Sequence, residues 1–189
     1  MHATQELCTP VAVTPVKDST ITALVTTLAQ LVDLLGAMNQ TQYIQSPVGD
    51  VHSAMGPHVR HTLDHVQAWL ASLESGHLDF EHRDRGTPIE TDLSVARMTL
   101  KHLIQRVEAV PSGWMTRRLS MVAMPTADGF PVRLTTTAMR ELLFVLSHTI
   151  HHYALIGVMA RTLGVPTPDR FGYAPSTIAH LDRTRTCAR

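Results

Sequence analysis

Cysteine is scarce in this chain of 189 residues. Cys8 and Cys187 sit one near each end, which is neither a disulfide framework nor a thiolate zinc pattern, and a reducing, cytoplasmic setting is the expectation that follows. A dominant charge sign is missing as well: 16 Lys plus Arg balance 16 Asp plus Glu, and no Lys/Arg-rich run occurs. Nucleic acid and membranes are therefore not expected partners. The first residues, MHATQELCTPVAVTPV, have neither the basic start nor the apolar run of a signal peptide, and two prolines interrupt them. We read 1–18 as a flexible lead-in. Internal repeats and low-complexity tracts are also lacking, and the length suits one domain whose core needs no disulfide.

What the chain has in quantity is helical periodicity and histidine. Ile21, Leu24, Leu28, Leu31, Leu35 and Met38 recur every three or four residues, which predicts a first helix from Ser19 to Gln45, capped by Asp18 or Ser19 and ended by Ser46-Pro47 and Gly49. A second helix is expected from Ser53 to the stop at Ser75-Gly76, with Val59, Leu63, Val66, Leu70 and Leu73 on its apolar stripe. The polar segment 77–90, broken by Gly86 and Pro88, reads as a long surface loop at the mouth of a pocket. A third helix, capped by Thr91 or Asp92, carries Leu93, Ala96, Leu100, Leu103, Ile104 and Val107 and ends at Pro111-Ser112-Gly113. The period then changes: Arg118–Met124 and Phe130–Thr135 are β-prone runs around 125–129, consistent with a small hairpin or an irregular crossover.

The last long helix is expected from Thr136 to Leu163, closed by Gly164 and Pro166. Its run Leu142–Met159 approaches the length of a membrane span, but Ser147, His148, Thr149, His151 and His152 lie in the middle, where lipid would make each of them costly. A helix at the centre of a soluble core explains the run better. Four helices with one long crossover before the fourth make an all-α four-helix bundle over 19–164, followed by a Pro-rich tail, 165–189, with a short helix after Pro175.

Twelve histidines occur, and six fall in two short clusters. In SHTIHH, His148 and His152 are four apart, so about 40° of rotation separates them and both rings can reach one metal. His151 is turned about 100° from His152 and points elsewhere. In GPHVRHTLDH, His58, His61 and His65 lie within about 60° of one another, and any of them can complete the site. A lone pair of this spacing is commonly a pair of core histidines. Two clusters argue for metal, because burying several unpartnered imidazoles costs about 1 to 3 kcal/mol each. Three neutral His ligands leave an open position, as in catalytic zinc sites, and imidazole also suits nickel, iron, manganese and copper.

The segments HVRHTLDHVQAWL and ELLFVLSHTIHHYALIGVMARTLG resemble the DinB-like (DinB/YfiT) family of metal-dependent enzymes, over roughly Ser19 to Gly164. The resemblance implies a four-helix bundle holding one divalent transition metal, commonly zinc or nickel. By the same likeness the ligands are His61, which precedes Leu63-Asp64 as the family's histidine precedes an apolar-acidic pair, with His148 and His152; His65 and then His58 are the alternates for His61. The family's frequent Arg-Gly-Gln after the last histidine is Tyr153-Ala154-Leu155 here. The activities implied are a hydrolase or a thiol S-transferase acting on a small molecule, such as a low-molecular-weight thiol. The alternative is a non-catalytic metal-binding or stress-response protein.

Among acid–base candidates, Glu141 lies one heptad before His148 on the same face, where it can orient a histidine or pair with Arg140 or Arg97. Asp64 reads as a solvated or packing carboxylate, and Tyr43, Tyr153 and Tyr173 as possible hydroxyl donors. Arg83-Asp84-Arg85 reads as a solvated loop, with an anion-binding lid as the lesser alternative. A homodimer is expected through the apolar last helix and exposed Trp114 and Met115.

Overall fold

A computed structural model of the chain describes residues 16–47 and 53–187; most of the lead-in and Gly49 lie outside them. The first long apolar stripe is two helices instead of one. Helix α1 (Val16–Gly36) begins before Asp18 and Ser19, so neither caps it, and α2 (Gln40–Ile44) follows after a break. Asn39 makes the break: its Oδ1 accepts from the Gln42 N–H at 3.0 Å while its own N–H donates to Gln42 Oε1 at 3.0 Å, a reciprocal cap that competes with continued helix. Met38 is buried and extends the α1 stripe, which is why periodicity alone runs through the interruption. Arg97, from the helix that follows Asp92, donates to the terminal carbonyls of Leu35 and Met38, so it serves the end of α1 and not Glu141.

Helix α3 (Met55–Ser75) ends where Gly76 adopts φ 71° and returns its N–H to Ser72 O at 2.9 Å. The segment read as an open loop is structured at both ends. Strand β1 (His77–Asp79) follows α3 at once, and a single turn of helix, α4 (Pro88–Thr91), precedes α5 (Leu93–Glu108). Asp92 caps α5, its Oδ1 accepting from Ser94 and Val95 N–H. A 3₁₀ turn at Ser112–Thr116 buries Met115, while Trp114 lies half-buried under the Arg117 guanidinium at 3.8 Å; the exposed pair expected there does not exist. Strands β2 (Arg118–Ala123) and β3 (Val132–Thr137) form the hairpin, paired antiparallel from Arg118↔Thr137 to Ala123↔Val132. Pairing of β3 through Thr137 delays α6 (Ala138–Thr162) by two residues, and Thr137 becomes its cap. Helix α7 (Pro175–Cys187) occupies the tail.

The protein is thus mostly helical, as expected, with the hairpin before the last long helix extended by β1 into a three-stranded sheet that the all-α expectation did not include. Sheet order is β1-β2-β3, with β1 parallel to β2 through His77↔Ser120 and Asp79↔Val122. A three-residue strand has too little pattern to announce itself; it exists because β2 offers it an edge. Helices α1, α3, α5 and α6 pack pairwise, α3 against α6 and α5, α1 against α5 and α6. Leu24, Leu28 and Leu31 of α1, Leu63 and Val66 of α3, Leu100 of α5 and Leu142 and Val145 of α6 are fully enclosed between them. Trp69 of α3, itself enclosed, donates its indole N–H to Ala138 O at 3.0 Å and fixes the start of α6 against α3. Helices α1 and α6 are long and apolar enough to cross a membrane by length and composition. The histidines of α6, however, meet those of α3, which is how a polar group inside an apolar helix is stabilised in a core.

Candidate metal centre

Packing of α3 on α6 brings the two histidine clusters face to face. His61 Nε2 lies 2.9 Å from His148 Nε2, and the ring of His152 has its centroid 4.5 Å from both His61 and His148. His65 joins them, 4.5 Å from His61 and 4.2 Å from His148. One ring nitrogen from each of His61, His65 and His148 lies within 4.8 Å of the others. The rings of His61, His148 and His152 stand together with that of the alternate, His65, but the group whose ring nitrogens all lie within 4.8 Å contains His65 and not His152. His58 is further out, 5.8 Å from His152, and His151 is exposed, 6.5 Å from His148.

The electrostatics keep these rings neutral. Burial pushes His61 down to about 3, helped by the neighbouring His65, His152 and His148 and by Arg83. Burial likewise takes His148 and His152 down to about 4, and lowers His65 and His58. Imidazoles crowded together in a partly dry site repel each other's protons, and the neutral ring is the form that ligates. His65 Nδ1 lies 2.9 Å from the His61 carbonyl, which can only accept, so its proton sits on Nδ1 and its Nε2 carries the lone pair.

Two aromatic rings wall the cluster. Phe80, just past β1, stacks on His65 at 5.0 Å and 18°, and Phe144 of α6 stacks on His148 at 5.5 Å and 19°. Arg83 follows Phe80 and lays Nη1 3.0 Å from His61 Nδ1. Sequence reasoning missed these contacts. Leu78 and Phe80, both buried between exposed neighbours, alternate as a strand would, but two positions are too short a pattern to assign one.

The other candidates have different duties. Arg60 of α3 holds the Asp64 carboxylate at 2.8 Å and that of Glu90 at 2.9 Å, tying α4 to α3. Glu141 accepts from Thr136 Oγ1 at 2.7 Å and Arg140 Nη1 at 3.1 Å; these partners, rather than a histidine, orient it. Tyr43 donates to Ile89 O at 2.6 Å. Tyr153 is enclosed and stacked on Phe171 at 4.6 Å, and Tyr173 is exposed beyond α6.

The donor set fits a divalent transition metal. The 2.9 Å between the two Nε2 atoms is a hydrogen bond, one neutral ring donating and the other accepting, and a metal held by both lone pairs would take the place of that proton. His152 Nδ1 is buried with no partner among the described residues, and the carboxylates of Asp64, Glu90 and Glu141 are all held by other groups. The ligands offered are borderline nitrogen donors, suited to zinc, nickel, copper or iron.

Comparison with known proteins bears on the family and the fold. The sequence profile of the DinB superfamily matches residues 23–156. A DinB-like protein of Bacillus subtilis of known crystal structure superposes with a TM-score of 0.58 at 13% identity, covering 81% of this chain and 98% of that one, a likeness of fold. FK506-binding protein 5 of Rhizopus delemar is 30% identical over 107 residues, 56% of this chain; the chain spans only 28% of the length of that curated relative.

Proposed function

The chain belongs to the DinB superfamily, a group of metal-binding proteins, and on that premise we propose that it is a metal-dependent enzyme of the hydrolase or thiol S-transferase type. One observation carries the reading: histidines from α3 and α6 converge until three ring nitrogens lie within 4.8 Å, with no carboxylate or thiolate among them. In this reading α1, α3, α5 and α6 are the four helices of a bundle, the usual scaffold for such a site. His61, His148 and His152 hold the metal, with zinc or nickel the expected ion. A second set, His61, His65 and His148, is favoured by the tautomer of His65, whose Nδ1 bond to a backbone carbonyl leaves Nε2 to ligate.

Bound on three neutral ligands, the metal supplies Lewis acidity at a free position, enough to make a water or a small thiol nucleophilic near neutral pH. The chain's own residues supply the rest. The imidazoles stay unprotonated and available, Phe80 and Phe144 shut water away from the far sides of the rings, and the Arg60–Glu90 pair anchors the segment carrying Arg83. Cytoplasm is the proposed setting and a small molecule the substrate. Exposed Leu143, Leu155 and Val158 on α6 are the proposed face of a homodimer.

Elemental analysis of untagged protein tests the centre. Roughly one equivalent of metal is expected in the wild type, lost in His61→Ala and His148→Ala under either ligand set. Loss in His152→Ala with retention in His65→Ala selects the first set, and the reverse selects the second. Metal content indifferent to His148→Ala ends the reading.

A further inference from the structure

The tautomer of His61 is set from outside the histidine cluster. Arg83 Nη1 faces His61 Nδ1 at 3.0 Å, and a guanidinium only donates, so that ring nitrogen is the acceptor. The proton of the neutral ring then sits on Nε2, the atom 2.9 Å from His148 Nε2, and His61 is the donor of that pair. His65 is fixed the opposite way: its Nδ1 donates to the His61 carbonyl at 2.9 Å, and its Nε2 keeps the lone pair. One ring of the candidate centre is thus held ready to ligate, while His61 is held in the form that is not.

The contact with Arg83 and ligation by His61 exclude one another. Ligation through Nε2 needs the lone pair there, so the proton must stand on Nδ1, where it meets Nη1 donor to donor. A ligating histidine ordinarily gives its second N–H to a carboxylate, a carbonyl or water. Arg83 offers His61 none of these, and it adds a permanent positive charge beside the place where a cation is to be held. Room for the guanidinium to turn away lies on its other side. Glu81 Oε2 stands 3.8 Å from Nη2, and the cavity that Arg83 lines is also lined by Asp64, Asp79 and Asp84.

Resting on the proposed metal centre, in which His61 is a ligand under either set, we infer that Arg83 is a positioning residue that opposes metal binding: it holds His61 in the tautomer that cannot ligate, so guanidinium and metal compete for the ring. Occupation of the centre turns Arg83 away from His61 toward Glu81 and the acidic cavity, which couples the metal to the segment between β1 and α4. The centre therefore takes up metal less tightly than its histidines alone would allow.

Cobalt(II) is the probe, competed against a chelator and followed through its visible bands in the full chain. Arg83→Gln gives an Nδ1–H on His61 an amide oxygen to donate to, and is expected to tighten cobalt by about tenfold or more. Arg83→Lys remains a cation that only donates, and should stay within about threefold of wild type. Nitrogen-15 spectra of the metal-stripped protein add a reading that a merely structural role would not move: the His61 proton sits on Nε2 in the wild type and shifts toward Nδ1 in Arg83→Gln. Cobalt affinity in Arg83→Gln equal to or weaker than wild type overturns the inference. So does equal tightening by Arg83→Lys, or a His61 proton found on Nδ1 in the wild type. Failure of the metal reading is distinct: neither wild type nor Arg83→Gln then takes up cobalt, and the inference falls with it, whereas cobalt bound without tightening in Arg83→Gln sinks the inference alone.

Discussion

Replacing Arg60 by alanine perturbs a junction on which the candidate centre depends. The Arg60 side chain is 9% exposed and serves two carboxylates, Asp64 at 22% and Glu90 at 16% side-chain exposure. Removing one member of a buried pair costs about 3 to 5 kcal/mol, because the surviving charge keeps its desolvation penalty without its partner. Asp64 and Glu90 retain some contact with water, which places Arg60→Ala near the lower end, about 3 kcal/mol. For a chain of this length that is a fall in Tm of about 6 to 12 °C. Urea denaturation followed by circular dichroism should show a lower midpoint with unchanged slope. Glu90→Ala should cost less, and the double variant less than the sum, with a coupling of about 1 kcal/mol or more. The deficit also has a predicted pH dependence. Burial raises the Asp64 carboxyl while Arg60 pulls it down, so loss of Arg60 raises it further. A folded-state value above the unfolded one means that the folded variant gains stability from protonation, and its deficit relative to wild type narrows as pH falls toward about 4. Stability within about 0.5 kcal/mol of wild type, or strict additivity in the double variant, refutes the reasoning.

Acid should destabilise the metal-stripped wild type through its histidines. Folded-state values of about 3 for His61 and about 4 for His148 and His152 lie below the ordinary value of about 6.5, so the unfolded chain takes up protons first. This source of instability is absent above about pH 6.5 and grows as pH falls to about 4. Thermal melts across that range should slope downward toward acid and less steeply in His148→Ala; a flat profile in the wild type contradicts the assigned burial. Trp69→Phe removes the indole bond to Ala138 O at an enclosed position, and a loss of about 1 to 3 kcal/mol in urea titrations is expected. An unchanged midpoint denies that bond a role in seating α6.

The match between expectation and structure follows from what each signal encodes. Leu63, Val66 and Leu70 report one buried face of α3, and Leu100 and Leu103 one of α5, because a stripe at helical period has few other ways to be buried. The break at Asn39 escaped because Met38 sustains the stripe while the cap acts through hydrogen bonds. Glu141 shows the limit of heptad arithmetic. It shares the face of His148 along α6, yet its carboxylate goes to the expected alternative partner, Arg140 next to it in sequence, and to Thr136 five residues before.

Sequence by itself determined the helical faces and the pairing of His148 with His152, since i, i+4 spacing on one helix fixes direction without reference to anything else, while it left a hairpin and an irregular crossover both open for 118–135. It left the three histidines of α3 equivalent within about 60°, because the rotation of one helix against another is set by packing along its whole length. Only the tertiary structure brought His61 Nε2 to 2.9 Å from His148 and set His65 beside both. It alone paired β1 with β2, and through that pairing seated Phe80 on His65 and Arg83 on His61. A three-residue strand carries no local preference strong enough to be read from its own residues; the edge of β2, more than forty residues later in the chain, supplies the hydrogen bonds that hold it.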